Sequence, residues 1–223
     1  MFGILAFACS PDNFEEPKSQ LYGRLHFQED SIYLEHGSVS YELYQDGFGK
    51  TGPMSSIFTS SGEFSQVLFN GAYKMVVPNG QGPFLWDDSD DDKADTVYIN
   101  VEGNTTLEIE VTPFWIINNP TISFSNGNVN AIFGLEQIVT DSRAREIENV
   151  TLFLSKTAFA DTETNVKTQE INGGDIVDYN NISLSAEVPE LIPTQNYIFA
   201  SVGVKFVGID DLLFSPTKKI QLN

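Results

Sequence analysis

The sequence predicts an all-β protein built from two tandem antiparallel β-sandwich domains. The main observation is a two-residue hydrophobic period in short runs rich in β-branched and aromatic residues. The second is turn chemistry, because Asn-Gly and Asp-Gly pairs between the runs tolerate the positive φ that hairpins need. The third is length, since 223 residues suffice for two units of ~100 to 150 residues each.

The first domain is predicted to span residues 21–112. Six runs have the two-residue period, in chain order LYGRLHF, VSYELYQ, EFSQVLF, YKMVV, TVYINVE and TLEIEVT. The pairs Asp46-Gly47, Asn70-Gly71 and Asn79-Gly80 predict turns between them.

The second domain is predicted to span residues 113–223, because Pro113 cannot donate within a central strand and favours a boundary beside Thr112. About seven runs follow over roughly 100 residues, which fits a sandwich. Trp115, in PFWII, is interpreted as inter-domain core. One helical alternative stays open in GLEQIVTDSRAREIE, where Leu135 and Ile138 could begin an apolar stripe.

The charge balance excludes some partners. Twelve basic and thirty-one acidic residues give a formal net charge of −19, which repels phosphate backbones and anionic lipid surfaces. We therefore predict that the protein does not bind nucleic acid.

The N-terminal stretch MFGILAFACS ends in small residues before Cys9, the only cysteine, and resembles a bacterial lipoprotein signal. The resemblance implies that Cys9 carries a lipid, so that the membrane is contacted only through this anchor. Residues 1–20 are then a signal remnant followed by a polar tether. The alternative is an N-terminal strand with a buried free cysteine. The tether, SPDNFEEPK, is similar to the acidic stretch of Bacteroidetes surface lipoproteins, which implies the outer membrane surface.

The sequence gives little support for catalysis. A nucleophilic triad needs a histidine base, and only His26 and His36 exist, each expected on a strand face or in a turn. There is no HExxH motif. A carboxylate pair for glycoside hydrolysis cannot be singled out among thirty-one acids. We expect no enzymatic activity.

The acidic run from Asp87 to Asp95 suggests a cation. Asp88, Asp90 and Asp92 have the alternate spacing that begins an EF-hand loop, but Lys and Ile occupy the places of its glycine and glutamate. A solvated acidic loop is therefore favoured, with weak calcium binding as the alternative. No other cofactor is predicted.

The aromatic residues beside this run suggest a sugar site. A flat ring packs on the apolar face of a pyranose while carboxylates and amides bond its hydroxyls. Trp86 is the first candidate and Phe84 the second, with Asp87 and Asp88 as polar partners. The alternative is that the GPF segment folds an aromatic plug over the end of the first sandwich.

Two local patterns resemble known domains. The spacing of Leu191, Pro193 and Tyr197 is similar to the fibronectin type III pattern, in which the tyrosine hydroxyl bonds to upstream backbone. In the first half, TSSGEF and FNGAYKMVV follow the order of carboxypeptidase-regulatory, transthyretin-like domains. There, glycine turns precede strands whose aromatic residues, Phe64 and Tyr73 here, point inward.

Together with DNFEEP at residues 12–17 and GPF at residues 82–84, these patterns make the whole chain resemble the Bacteroidetes DUF3823 family. Its members are two-domain surface lipoproteins commonly encoded beside SusC-like transporters and SusD-like glycan receptors. The resemblance implies a non-catalytic protein of a polysaccharide-utilisation system that binds glycan. The alternative is a structural adaptor that docks a SusD-like or SusC-like partner and has no sugar site.

Overall fold

The computed structural model describes residues 16–45, 52–86 and 96–222. The predictions for Cys9 and for the acidic run that holds Asp87, Asp88, Asp90 and Asp92 lie outside these ranges.

The first domain is a sandwich of two sheets. Its strands are β1 (Ser19–Phe27), β2 (Asp30–Ser31), β3 (Tyr33–Leu34), β4 (Ser40–Gln45), β5 (Met54–Ile57), β6 (Glu63–Leu68), β7 (Gly71–Val76), β8 (Phe84–Leu85), β9 (Val97–Val101) and β10 (Thr105–Glu110). One sheet places β1 between β6 and β10 and adds the short β2. The other has the order β5-β4-β7-β9. Pairing is antiparallel except between β1 and β10, which run parallel.

An aromatic cluster fills the space between these sheets. Phe58 lies 4.8 Å from Tyr41 and 5.8 Å from Phe64 between ring centroids. Phe64 and Tyr73 are both buried, which confirms the predicted inward direction. Gly62 has a φ of +73° in the turn before Phe64, a conformation that glycine adopts without steric cost.

The second domain is also a sandwich. Its elements are β11 (Thr112–Pro113), β12 (Trp115–Ser125), β13 (Asn128–Gln137), β14 (Ile147–Ser155), β15 (Asn165–Asn172), a 3-10 turn at Gly173–Asp175, β16 (Ile182–Glu187), β17 (Tyr197–Phe206), β18 (Leu213–Phe214) and β19 (Lys218–Gln221). One sheet has the order β12-β13-β16, and the other places β17 between β14 and β19, with β15 outside β14. The predicted fold class is confirmed.

Two details differ from sequence expectations. A helix was the alternative for GLEQIVTDSRAREIE, residues 134–148. This segment instead forms the end of β13, an irregular loop at 138–146 and the start of β14. Its apolar residues are buried by the sheets instead, as Leu135 and Val139 show. Tyr197 forms no hydroxyl bond to backbone among the described residues. Its ring instead lies beneath the Lys219 ammonium, with Nζ 4.0 Å from the centroid.

The domains are joined by strand pairing as well as by packing. β3 of the first domain pairs with β18 of the second, and one cluster of buried apolar residues runs through both. The His36 ring stacks on Phe159, with centroids 4.0 Å apart. The buried carboxylate of Asp211 accepts a hydrogen bond of 2.7 Å from the backbone N–H of Gly82.

An Asp211→Ala variant is expected to lose about 1–3 kcal/mol of its free energy of unfolding, because it leaves the buried Gly82 N–H without its acceptor. Denaturant unfolding measures the loss. Asp210→Ala, which removes the same charge from an exposed neighbour, is the matched control and should change stability by less than about 0.5 kcal/mol. Equal losses in the two variants would contradict this role for Asp211.

Candidate functional site

Of the residues proposed from sequence as a sugar platform, the two aromatic ones, Phe84 and Trp86, lie in the described part of the chain, and neither is fully exposed. Phe84 is 4% exposed in β8, and a Cβ on Gly82 would approach its ring to 2.6 Å. The ring therefore has no free face for a ligand, and its position is that of a plug. Trp86 is half-buried and packs against the core.

A hollow of about 580 Å³ lies in the second domain, at the end of β12 and β13. Its lining combines an aromatic pair, an arginine, a carboxylate, an amide and two glycines: Trp115, Tyr179, Arg145, Glu146, Gln137, Gly173 and Gly174, with Ala144 and Ile147. Concave sites with apolar walls and a few polar groups are the usual form of small-ligand sites.

The aromatic wall consists of Trp115 and Tyr179, whose ring centroids are 5.2 Å apart at an interplanar angle of 32°. Trp115 is 8% exposed, whereas Tyr179 is 37% exposed. The indole Nε1 of Trp115 donates to the backbone oxygen of Arg145 at 2.8 Å. Trp115 is thus buried, with this hydrogen bond and this ring contact inside the second domain, whereas the sequence was interpreted as placing it in an inter-domain core. It backs the ring of Tyr179, which is the exposed surface.

Backbone contacts hold Tyr179 in place. It lies in the loop before β16, and its carbonyl accepts a hydrogen bond of 2.7 Å from the N–H of Leu135 in β13. The same loop closes on itself through Asp178, whose side chain accepts from the N–H of Asn180 at 2.9 Å. The tyrosine is therefore carried by a loop that is tied to a central strand.

The loop at 138–146 presents the polar side of the hollow. Asp141 accepts from the side chain of Arg143 at 2.7 Å and from its backbone N–H at 2.9 Å. The side-chain bond, followed by the backbone bond, lowers the pKa of Asp141. The carbonyl of Asp141 accepts from the N–H of Ala144 at 3.0 Å, which folds the loop just before Arg145.

Arg145 lies over the ring of Phe114, with Cζ 5.6 Å from the centroid, and its Nη1 donates to the carbonyl of Ala144 at 3.3 Å. The Nε2 atom of Gln137 donates to Val139 O at 3.0 Å, and the Gln137 side chain lines the hollow. The exposed Glu146 adds acceptor oxygens. An aromatic ring with these polar groups beside it can bind a sugar ring and its hydroxyls.

The floor of the hollow requires glycine. A Cβ on Gly173 would lie 1.8 Å from the carbonyl oxygen of Ile147, so a side chain here would displace the backbone of β14. The spacing of the sequence motifs does not predict this hollow, because Trp115 and Tyr179 are far apart in sequence and Tyr179 lies in a loop without a two-residue period.

Within residues 16–45, 52–86 and 96–222, no group of three His, Cys, Asp or Glu side chains is placed to hold a metal ion. Over the same ranges, no helix is long and apolar enough to cross a bilayer.

The fold and the hollow define a two-domain β-sandwich protein with an aromatic, partly polar cavity in its second domain. Two family profiles match the chain: a protein of unknown function (DUF3823) N-terminal domain over residues 19–112, and a domain of unknown function (DUF3823_C) over residues 115–219. The chain belongs to the DUF3823 family.

Solved structures agree with this assignment. A DUF3823 family protein from Parabacteroides merdae is 33% identical, with a TM-score of 0.80 over 93% of this chain and 100% of that one. One from Bacteroides ovatus is 26% identical, with a TM-score of 0.80 over 92% and 100%. A "putative carbohydrate binding protein" from Bacteroides uniformis shares the fold at 15% identity, with a TM-score of 0.73 over 93% and 100%. Comparison with curated proteins gives no match.

Proposed function

We propose that this protein is a non-catalytic, surface-exposed lipoprotein of a bacterial polysaccharide-utilisation system and that it binds glycan. The observation that carries the proposal is the hollow with Tyr179 as its exposed ring and Trp115 behind it. The carbohydrate-binding description of the Bacteroides uniformis relative supports it weakly, because low identity transfers fold more safely than function.

The chemistry of the hollow suits a sugar. The ring of Tyr179 can pack on the apolar C–H face of a pyranose, and the flat ring does so at a low cost in side-chain entropy. Gln137 and Glu146 offer acceptors to hydroxyl groups, and Arg145 offers donors. Backbone bonds hold both loops, so little ordering is needed on binding.

The cellular setting is part of the same proposal. Lipidation at Cys9 would anchor the chain to the outer membrane, and SusC-like or SusD-like proteins are the proposed partners. We also propose that the first domain is transthyretin-like and the second fibronectin type III-like. The three-strand sheet β12-β13-β16 supports the latter, as does the second sheet, to which this domain contributes β14, β15, β17, β18 and β19.

A second candidate function is an adaptor that docks such a partner. The observation in its favour is a row of residues on one face of the sheet that holds β4, β7 and β9. In this row Tyr44, Lys74 and Tyr98 lie in register, and both tyrosines are exposed. Tyr98 is 75% exposed and Tyr44 is 39% exposed. Tyrosine is enriched at protein interfaces, so this face suits a protein partner.

The test is glycan binding by the soluble form that begins at Ser10, measured by calorimetry on a panel of polysaccharides with calcium and then with chelator. We expect saturable binding to at least one glycan, and a loss of affinity of about tenfold or more in Tyr179→Ala, because the stacking ring is removed. The unfolding midpoint should stay close to that of the unaltered protein, because Tyr179 is partly exposed.

Two further variants separate the candidates. Tyr98→Ala removes an exposed tyrosine outside the hollow and should keep glycan affinity. Trp86→Ala tests the site proposed from sequence, and a loss of binding there, with Tyr179→Ala unaffected, would move the site to Trp86. The absence of binding to any glycan would overturn the glycan proposal and favour the adaptor.

A further inference from the structure

The arginines of the chain differ in how their charge is balanced. There are three. Arg24 pairs with Glu108, with Nε and Oε2 2.6 Å apart, and Arg143 pairs with Asp141 through Nη2 and Oδ2 at 2.7 Å. Arg145 forms no ion pair with any described residue. In a chain with thirty-one acidic residues, it is unusual that Arg145 has no carboxylate partner among the described residues.

Arg145 is held in position by groups that carry no negative charge. The Phe114 ring lies beneath its guanidinium, and Ala144 O accepts from Nη1. A guanidinium has five N–H donors in a rigid fork that matches a carboxylate in a bidentate arrangement. The contacts with described residues use one of these donors. The guanidinium is therefore held at the wall of the hollow with N–H donors that remain available to a ligand.

We propose that the hollow selects glycans that contain a sugar ring with a carboxylate, as in a uronic acid, and that Arg145 binds this carboxylate. The proposal rests on the glycan-binding function above and names its ligand class. A uronic acid carries its carboxylate on the ring carbon beside the ring oxygen. A pyranose stacked on Tyr179 thus presents its carboxylate at the edge of the ring, and Arg145 lines the same hollow.

The other charges of the protein leave Arg145 as the group that would bind the carboxylate. Glu146 also lines the hollow but is exposed, so water screens its charge. At longer range, the net charge of −19 opposes the approach of any anionic glycan. An acidic sugar that binds must therefore be held by a nearby cation, and Arg145 is the cation that the lining provides.

The experiment compares an oligogalacturonide with its carboxyl-reduced, neutral counterpart of the same length. Oligomers of glucuronate and of mannuronate, each with its reduced form, extend the comparison to other stereochemistries. Calorimetry with the soluble form is expected to show that at least one acidic oligomer binds about tenfold or more tightly than its reduced form, since hydrogen bonds to charged groups are the stronger ones.

Variants of Arg145 test whether this residue causes the tighter binding of acidic oligomers. Arg145→Gln should lower the acid-to-neutral affinity ratio to about one, because it removes the charge-assisted bonds that only the carboxylate of an acidic oligomer can form. Arg145→Lys keeps the charge but loses the planar fork, and should retain an intermediate ratio. Arg24→Gln, outside the hollow, is the matched control and should keep the full preference.

The outcomes separate this inference from the function on which it rests. The inference is overturned if the unaltered protein binds a neutral glycan through Tyr179 but prefers no acidic oligomer, or if Arg145→Gln keeps the preference. Glycan binding as such would stand in both cases. If no acidic or neutral glycan binds at all, the inference and the proposed function fail together.

Discussion

A Gly23→Ala variant should lose about 3 kcal/mol or more of its free energy of unfolding, at the upper end of the usual cost of overpacking. Gly23 lies in the middle of β1, between β6 and β10. An added Cβ would lie 1.8 Å from the carbonyl oxygen of Leu107 and 2.8 Å from Cζ of Phe64. The nearer atom is backbone, so relief requires β10 to move away from β1.

Denaturant unfolding of the soluble form measures this loss. Gly52→Ala is the matched control, because no described residue other than its chain neighbours has an atom within 4 Å of the added Cβ, and it should be neutral or slightly stabilising. If Gly23→Ala unfolds at the same denaturant concentration as Gly52→Ala, the close approach of β10 to β1 does not exist in solution.

Local sequence patterns predict the strands because each follows from neighbouring residues. The run LYGRLHF becomes part of β1, and its alternating Leu21 and Leu25 are fully buried as the two-residue period requires. Gly62 before Phe64 likewise marks a turn and an inward ring. These features need no knowledge of distant contacts.

Long-range pairing could not be predicted in this way. The parallel register of Leu21 with Thr105 and the pairing of Leu34 with Leu213 across the domains join segments far apart in sequence. A period of two fixes which face of a strand is buried, but it does not name the partner strand. The sequence therefore predicts two sandwiches without predicting the strand pairing that joins them.

The candidate site was not predicted from sequence for the same reason, because long-range contacts bring its residues together. Phe84 and Trp86 attract notice because they stand beside an acidic run, yet Phe84 is buried. Tyr179 carries no such local mark. Its importance comes from Trp115 behind it and Arg145 beside it, and these three meet only when the loops at the end of the second sandwich close.

Phe114 connects this site to the core, and its removal should affect both. It is 2% exposed, contacts Phe206 edge to face with centroids 5.8 Å apart, and lies beneath Arg145. Its N–H also donates to Pro83 O of the first domain at 3.2 Å. Phe114→Ala is expected to cost about 3–5 kcal/mol of the free energy of unfolding, the usual range for a buried phenylalanine.

A Phe58→Ala variant separates the effect of losing a buried ring on stability from its effect on glycan binding. Phe58 is 1% exposed in the aromatic cluster of the first domain, so its removal should cost a similar ~3–5 kcal/mol without touching the hollow. Calorimetry well below the unfolding transition should then show weaker binding of acidic glycan in Phe114→Ala only, because only there does Arg145 lose the ring that positions it. Equal affinity losses would indicate a global effect of destabilisation. Unchanged affinity in Phe114→Ala would mean that the Ala144 carbonyl and the loop from Asp141 are enough to hold the guanidinium at the hollow.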